Sequence, residues 1–146
     1  MPGNPMFSDS TPDYDPFLGT RVYNEAAFHQ FLAADWARAE RLRRCVLLIL
    51  VSLRRESMHP VSLPKSAAAS VFLGLSATVR DEDFIGWFRE GRVAGALLME
   101  GPEWPDPAAE STIRASVRRA LEARQHSTLA AGLRVRVRRL GVSSLR

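Results

Sequence analysis

Arg80-Asp81-Glu82-Asp83, Phe84-Ile85-Gly86-Trp87-Phe88 and Arg89-Glu90-Gly91-Arg92-Val93 follow one another without interruption, and this run decides the fold. It reads as an acidic stretch that leaves a helix and enters a β-hairpin. A two-residue turn at Glu90-Gly91 sets Arg89 against Arg92, Phe88 against Val93, Trp87 against Ala94, and Gly86 against Gly95. Gly91 suits the positive φ that such a turn wants. Gly86 opposite Gly95 makes a notch bare of side chains, where another element can come close. A helix packed into the notch is the favoured reading, and room for a ligand is the alternative.

Working outward from the hairpin, Lys65 or Ser66 opens a helix that ends near Val79, with Val71, Phe72, Leu75 and Val79 on its apolar face. Arg54 to Pro64 contains Pro60 and Pro64 and is expected as a loop. Before it, Val46 to Leu53 is a nearly unbroken apolar run, suited to a central strand covered on both faces. Asn24 can cap a leading helix to about Arg44, in which Phe28, Phe31, Leu32, Asp35, Trp36, Ala39 and Leu42 recur at helical spacing. Asp35 is the one acid on that face. Residues 1–21, with Pro2, Pro5, Pro12 and Pro16 and no apolar period, are expected as a flexible tail, and 22–146 as one domain.

After the hairpin, Gly101 to Pro107 is a Pro-rich connection. Ser111 can cap a third helix with Ile113, Val117, Ala120 and Leu121 in its buried stripe. Leu133 to about Leu140 alternates Leu133, Val135 and Val137 inward with Arg134, Arg136 and Arg138 outward, a half-buried strand with a wet arginine face. The expected class is α+β: a leading N-terminal helix, then a ferredoxin-like βαββαβ antiparallel sheet.

Composition narrows the function. The longest apolar run, Cys45 to Val51, is far short of the roughly 20 residues that span a bilayer, so no membrane span is expected. A single cysteine, Cys45, sits in that run as a buried thiol and favours a reducing, cytoplasmic setting. From Ser111 onward there are nine arginines against one acid, Glu122. Arginine supplies all the basic residues except Lys65, which reads first as compositional bias and second as a face for an anionic partner. His29, His59 and His126 have no spacing that gathers metal ligands or a nucleophile–base pair. No Gly-rich phosphate loop is present.

The hairpin resembles the signature hairpin of the GGDEF-type diguanylate cyclases. In that family an Arg-x-x-Asp pair stands five residues before Gly-Gly-Asp-Glu-Phe. Arg80 and Asp83 keep this spacing, while the signature positions read Arg89, Glu90, Gly91, Arg92 and Val93. Arg38-Ala39-Glu40-Arg41 at the end of the leading helix and the late Gly141-Val142 pair add to the resemblance, which covers nearly everything after the tail. It implies the nucleotide-cyclase palm version of the fold.

The resemblance also implies that the chemistry has gone. Active members hold two metal ions with carboxylates, which neutralise the triphosphate and lower the pKa of the attacking 3′-hydroxyl. The first-strand positions are Ser52 and Arg54, and the turn has Gly91 and Arg92 where acids are needed. Glu90 is the one acid nearby. The guanine-reading Asn is missing from Arg54 to Pro64, Ser66 stands near the Asp position, and the family's last helix has no counterpart after Val142.

No enzyme and no cofactor are expected; the domain reads as a degenerate, inactive regulatory module. The family context implies control of exopolysaccharide and biofilm production. Arg80 and Asp83 are the candidate ligand-binding residues, with cyclic di-GMP as ligand, since a guanidinium can bond a guanine edge or a phosphate in bidentate fashion. Trp87 is the candidate anchor for a protein partner in a bacterial signalling or polysaccharide system, with self-association left open. The alternative function is a nucleic-acid-binding module using Arg134, Arg136 and Arg138. It ranks lower because that strand has no interleaved aromatics.

Overall fold

Nine residues from Cys45 to Leu53 carry no charge, and all but the last are buried. They form the central strand β3 of the computed structural model, which describes residues 14–17, 20–53, 61–80, 83–99, 108–124 and 132–141. The remaining elements are β1 (Tyr14–Phe17), β2 (Thr20–Tyr23), α1 (Glu25–Leu42), α2 (Lys65–Thr78), β4 (Phe84–Arg89), β5 (Val93–Met99), α3 (Ala109–Glu122) and β6 (Leu133–Gly141). The six strands form one sheet in the order β1-β2-β4-β5-β3-β6. From β4 to β6 every neighbour is antiparallel, and the order is that of a ferredoxin-like βαββαβ unit.

Alternation along the strands assigns each side chain to one of two cores. Leu47, Ile49, Val51, Ile85, Ala94, Ala96, Leu98, Leu133, Val135 and Val137 face α2 and α3, which supply Val71, Phe72, Leu75, Val117 and Leu121. Val46, Leu48, Leu50, Val93 and Leu97 face the other way and meet Phe28, Leu32 and Ala39 of α1. The sheet is therefore the middle of three layers, which is why β3 tolerates no charge on either face.

Local signals explain where α1 starts and stops. Asn24 Oδ1 accepts from the Ala27 N–H at 2.9 Å, the expected N-cap. Arg43 closes the helix in the left-handed region at φ 57°. Helix α3 departs from expectation: it begins at Ala109, so Ser111 lies inside the first turn, and no side chain caps the start.

Two further expectations are corrected. The flexible tail assigned to residues 1–21 gives way, over 14–17 and 20–21, to an antiparallel hairpin of β1 and β2. Strand β2 then runs parallel to β4, with Val22 beside Ile85 and Tyr23 beside Gly86. Residues 1–13 lie outside the described residues. In the signature hairpin, Trp87–Ala94 and Gly86–Gly95 pair as expected, but Arg89 pairs with Val93, leaving Phe88 as a bulge. The turn is thus Glu90-Gly91-Arg92, closed by Arg92 N–H to Arg89 C=O at 2.9 Å, with Gly91 at φ 74°.

The glycine notch is filled by a helix. A Cβ on Gly95 would stand 2.9 Å from Phe28 Cζ, and one on Gly86 would stand 2.6 Å from the Tyr23 carbonyl and 3.1 Å from Phe28 Cδ1. Phe28, fully buried, lies in the gap the two glycines leave. That contact seats α1 on the sheet and brings its N-terminus over the hairpin turn.

Candidate functional site

Arg80 and Asp83 occupy the bend between α2 and β4. Val79, in extended conformation, ends the helix, and the Asp83 N–H returns to the Arg80 carbonyl at 2.9 Å. The Asp83 carboxylate then does two jobs. Its Oδ2 accepts from the Arg80 backbone N–H at 2.8 Å, and its Oδ1 accepts from the Met99 N–H at 3.2 Å. The Arg80 Nη2 donates to the Met99 carbonyl at 3.2 Å, and its Nε lies 3.9 Å from Asp83 Oδ2.

The pair therefore clamps the end of β5 to the start of β4. The two side chains differ in exposure: Asp83 has none, while Arg80 is 52% exposed. Asp83 faces inward and positions; Arg80 is the member that can meet a ligand.

Asp35 of α1 joins this end of the sheet. It is buried, and its Oδ2 has no hydrogen-bond partner among the described residues. Burial raises its pKa above the ordinary carboxylate value; Arg38 pulls the other way, and Asp83 adds to the rise. Helical spacing had already placed this acid on an apolar face. Its proximity to Asp83 was not readable from the sequence.

At the opposite end, around the hairpin turn, stand the positions where a metal site would be. Ser52 is buried between Val93 and Arg134 in the β-ladders. Gly91 presents no side chain, and its carbonyl accepts from the Leu63 N–H at 2.8 Å. Arg92 is exposed. Glu90 is already engaged: its backbone N–H donates to Glu25 Oε1 at 2.7 Å, and its own Oε1 accepts from the Glu25 N–H at 3.1 Å. This reciprocal pair ties the turn to the first residue of α1, where a carboxylate also suits the helix dipole. Arg54 lies outside the described residues. Among the described residues, no three His, Cys, Asp or Glu side chains gather as a metal site.

Trp87 is half-buried, its ring edge-on to Phe72 of α2 with centroids 4.9 Å apart. It covers the α2 side of the sheet, so only part of it is available to a partner. His29 Nε2 lies 2.8 Å from the Phe88 carbonyl, a contact within α1's seat. His59 and His126 lie outside the described residues. Cys45 is buried. No described helix is long and apolar enough to cross a membrane.

Arg134 and Arg138 are exposed on β6, as the alternation requires, while Arg136 is half-buried. Burial lowers the pKa of Arg136, and its two like-charged neighbours lower it further.

No family model matches the chain, and no curated protein matches it significantly in sequence. Solved structures do match. The GGDEF domain of FimX from Pseudomonas aeruginosa is 16% identical, with a TM-score of 0.61 over 90% of this chain and 82% of that one. The GGDEF domain of DgcB from Caulobacter crescentus, in complex with c-di-GMP, is 13% identical, with a TM-score of 0.54 over 82% and 70%. PelD from Pseudomonas aeruginosa is 20% identical, with a TM-score of 0.51 over 81% of this chain and 40% of that one. The chain thus has the GGDEF-domain fold, as the hairpin implied.

Proposed function

We propose that this chain is a catalytically inactive GGDEF-like domain that acts as a regulatory module in the cytoplasm, in the control of exopolysaccharide and biofilm production. The observation that carries the reading is the state of the turn. Two-metal phosphoryl transfer needs several carboxylates around one point. Here Ser52, Gly91 and Arg92 stand at the required positions, and Glu90 is held by the start of α1.

Within that role the ligand is cyclic di-GMP, bound through the exposed part of Arg80 with Asp83 as its strut. Support comes from the half-exposed Arg80 side chain and from the DgcB domain, whose structure contains this ligand. Two measurements test the reading. Purified protein with GTP and Mg²⁺ or Mn²⁺ is expected to give no cyclic di-GMP by chromatography; steady turnover lost on substitution in the hairpin would overturn the inactive assignment. Calorimetric titration is expected to show saturable binding of cyclic di-GMP, weakened in Arg80→Ala by at least about 1.5 kcal/mol, the worth of a charge-assisted hydrogen bond. A folded Arg80→Ala protein that binds like wild type would remove the site.

A further inference from the structure

Helix α1 starts over the hairpin turn, where Glu25 meets Glu90, and ends beside Cys45, Val46 and Met99. Beside that line, on the sheet's second face, a groove of about 270 Å³ opens, lined by Leu48, Leu50, Phe88, Val93, Arg89, Arg136 and Arg138. Its floor residues Leu48, Leu50 and Val93 are at most 4% exposed. The floor is aliphatic and the walls are cationic.

The ladder fixes this geometry. Leu48 lies opposite Arg138 and Leu50 opposite Arg136, so the two guanidinium stems rise from β6 beside the two leucines. Residues two apart on a strand are separated by about 6.7 Å, which spaces the charges like the carboxylates of successive turns of a helix. No acid among the described residues pairs with Arg134, Arg136 or Arg138, and the buried Arg136 Nε has no hydrogen-bond partner. Long side chains commonly lie over apolar surface with their charged heads in water. Three arginines in a row on one face, with no acid beside them among the described residues and a fourth arginine across the groove, still repel one another.

From this juxtaposition we infer that the groove beside α1 docks an acidic amphipathic segment of a partner protein, with carboxylates on Arg89, Arg136 and Arg138 and an apolar side chain on Phe88 and the arginine stems that lie over the buried Leu48, Leu50 and Val93. Charge complementarity selects an acidic occupant. The floor selects a peptide over a nucleic acid: single strands need a series of aromatic platforms, whereas Phe88 is the one ring in the lining. This deepens the regulatory reading by naming the partner's chemistry.

The probe is a fluorescein-labelled 14-residue peptide with Glu and Leu at amphipathic helical spacing, followed by anisotropy against the full chain. Saturable binding is expected, at least tenfold weaker for Arg136→Ala/Arg138→Ala and unchanged for Arg114→Ala, at an exposed position of α3. Circular dichroism of each variant checks its fold. Amide shifts on adding the peptide should map to 48–50, 88–93 and 134–138. Equal binding by wild type and the double variant, or shifts elsewhere, would overturn the proposal. So would displacement of the peptide by a 12-nucleotide single strand at lower concentration than by unlabelled peptide, which would return the groove to nucleic acid. None of these results bears on the GTP assay or the cyclic di-GMP titration, so the two readings fail separately.

Discussion

Replacing Asp83 by Ala separates the structural work of the Arg80–Asp83 pair from its binding role. The substitution removes two acceptor oxygens that hold backbone N–H groups of Arg80 and Met99 at 2.8 and 3.2 Å. The Arg80 N–H is exposed, so water replaces most of that bond. The Met99 N–H is partly buried, and leaving it unsatisfied costs about 1–3 kcal/mol. The ion pair at 3.9 Å adds little, because Arg80 is half in solvent. Together these give a loss of about 2–3 kcal/mol, or a fall of roughly 10 °C in Tm for a domain of this size.

Among the described residues, Arg80→Ala removes the exposed bond to the Met99 carbonyl and the long contact with Asp83, and it is expected to cost under about 1 kcal/mol. Urea denaturation of both variants measures the difference. If Asp83→Ala costs less than about 1 kcal/mol, or if Arg80→Ala costs as much as Asp83→Ala, the clamp described above is wrong. The asymmetry also matters for function, since an Arg80 variant that keeps its stability gives a clean binding experiment.

Other outcomes follow from the second core. Asp35→Asn should raise stability at pH 7 by about 1 kcal/mol, because a buried carboxyl whose Oδ2 has no hydrogen-bond partner among the described residues is replaced by a neutral amide. The folded state holds a proton on Asp35 that the unfolded chain has released, so wild type should lose stability relative to Asp35→Asn as pH rises from 3.8 through the raised folded value. A variant less stable than wild type at neutral pH would show that the carboxylate is held by a partner. Gly95→Ala and Gly86→Ala should each cost about 1–3 kcal/mol by overpacking. Gly86 should cost more, since its Cβ meets the fixed Tyr23 carbonyl at 2.6 Å, while that of Gly95 presses on the Phe28 ring and keeps an ordinary 3.6 Å from the Ile49 carbonyl; the reverse order in thermal melts would refute this.

The elements that carry a strong period were legible in the sequence. The uncharged run of β3, the arginine alternation of β6 and the Gly86–Gly95 register all stand in the structure, because each is dictated by which face of one strand is buried. The β1–β2 hairpin was not. It is short, it gives Val22 to the core, and its pairing with β4 joins segments far apart in the chain. The Phe88 bulge escaped because a Gly at a turn does not say how many residues the turn contains. In the candidate site, the positions of Arg80 and Asp83 came from spacing, but Asp83's hold on Met99 did not. Nor did the Glu25–Glu90 pair, whose two acids look like ordinary surface charges until the fold places one at a helix N-terminus and the other in a turn. The groove was half visible as an arginine face; its leucine floor needed the path of α1.

That path has a consequence for how the chain reaches its folded state. Strand β2 and helix α1 are completed by residues that lie much later in the chain: β2 by Ile85 and Gly86, and α1 by the notch that includes Gly95. Until the whole signature hairpin has formed, Phe28 has no seat and α1 is a lone amphipathic helix. Long-range closures of this kind carry an entropic cost before any contact repays it, and they slow folding. Docking of the N-terminal segment should therefore be a late event that waits on the hairpin, so substitutions at Gly86 or Gly95 should hasten unfolding more than they delay the early steps of folding.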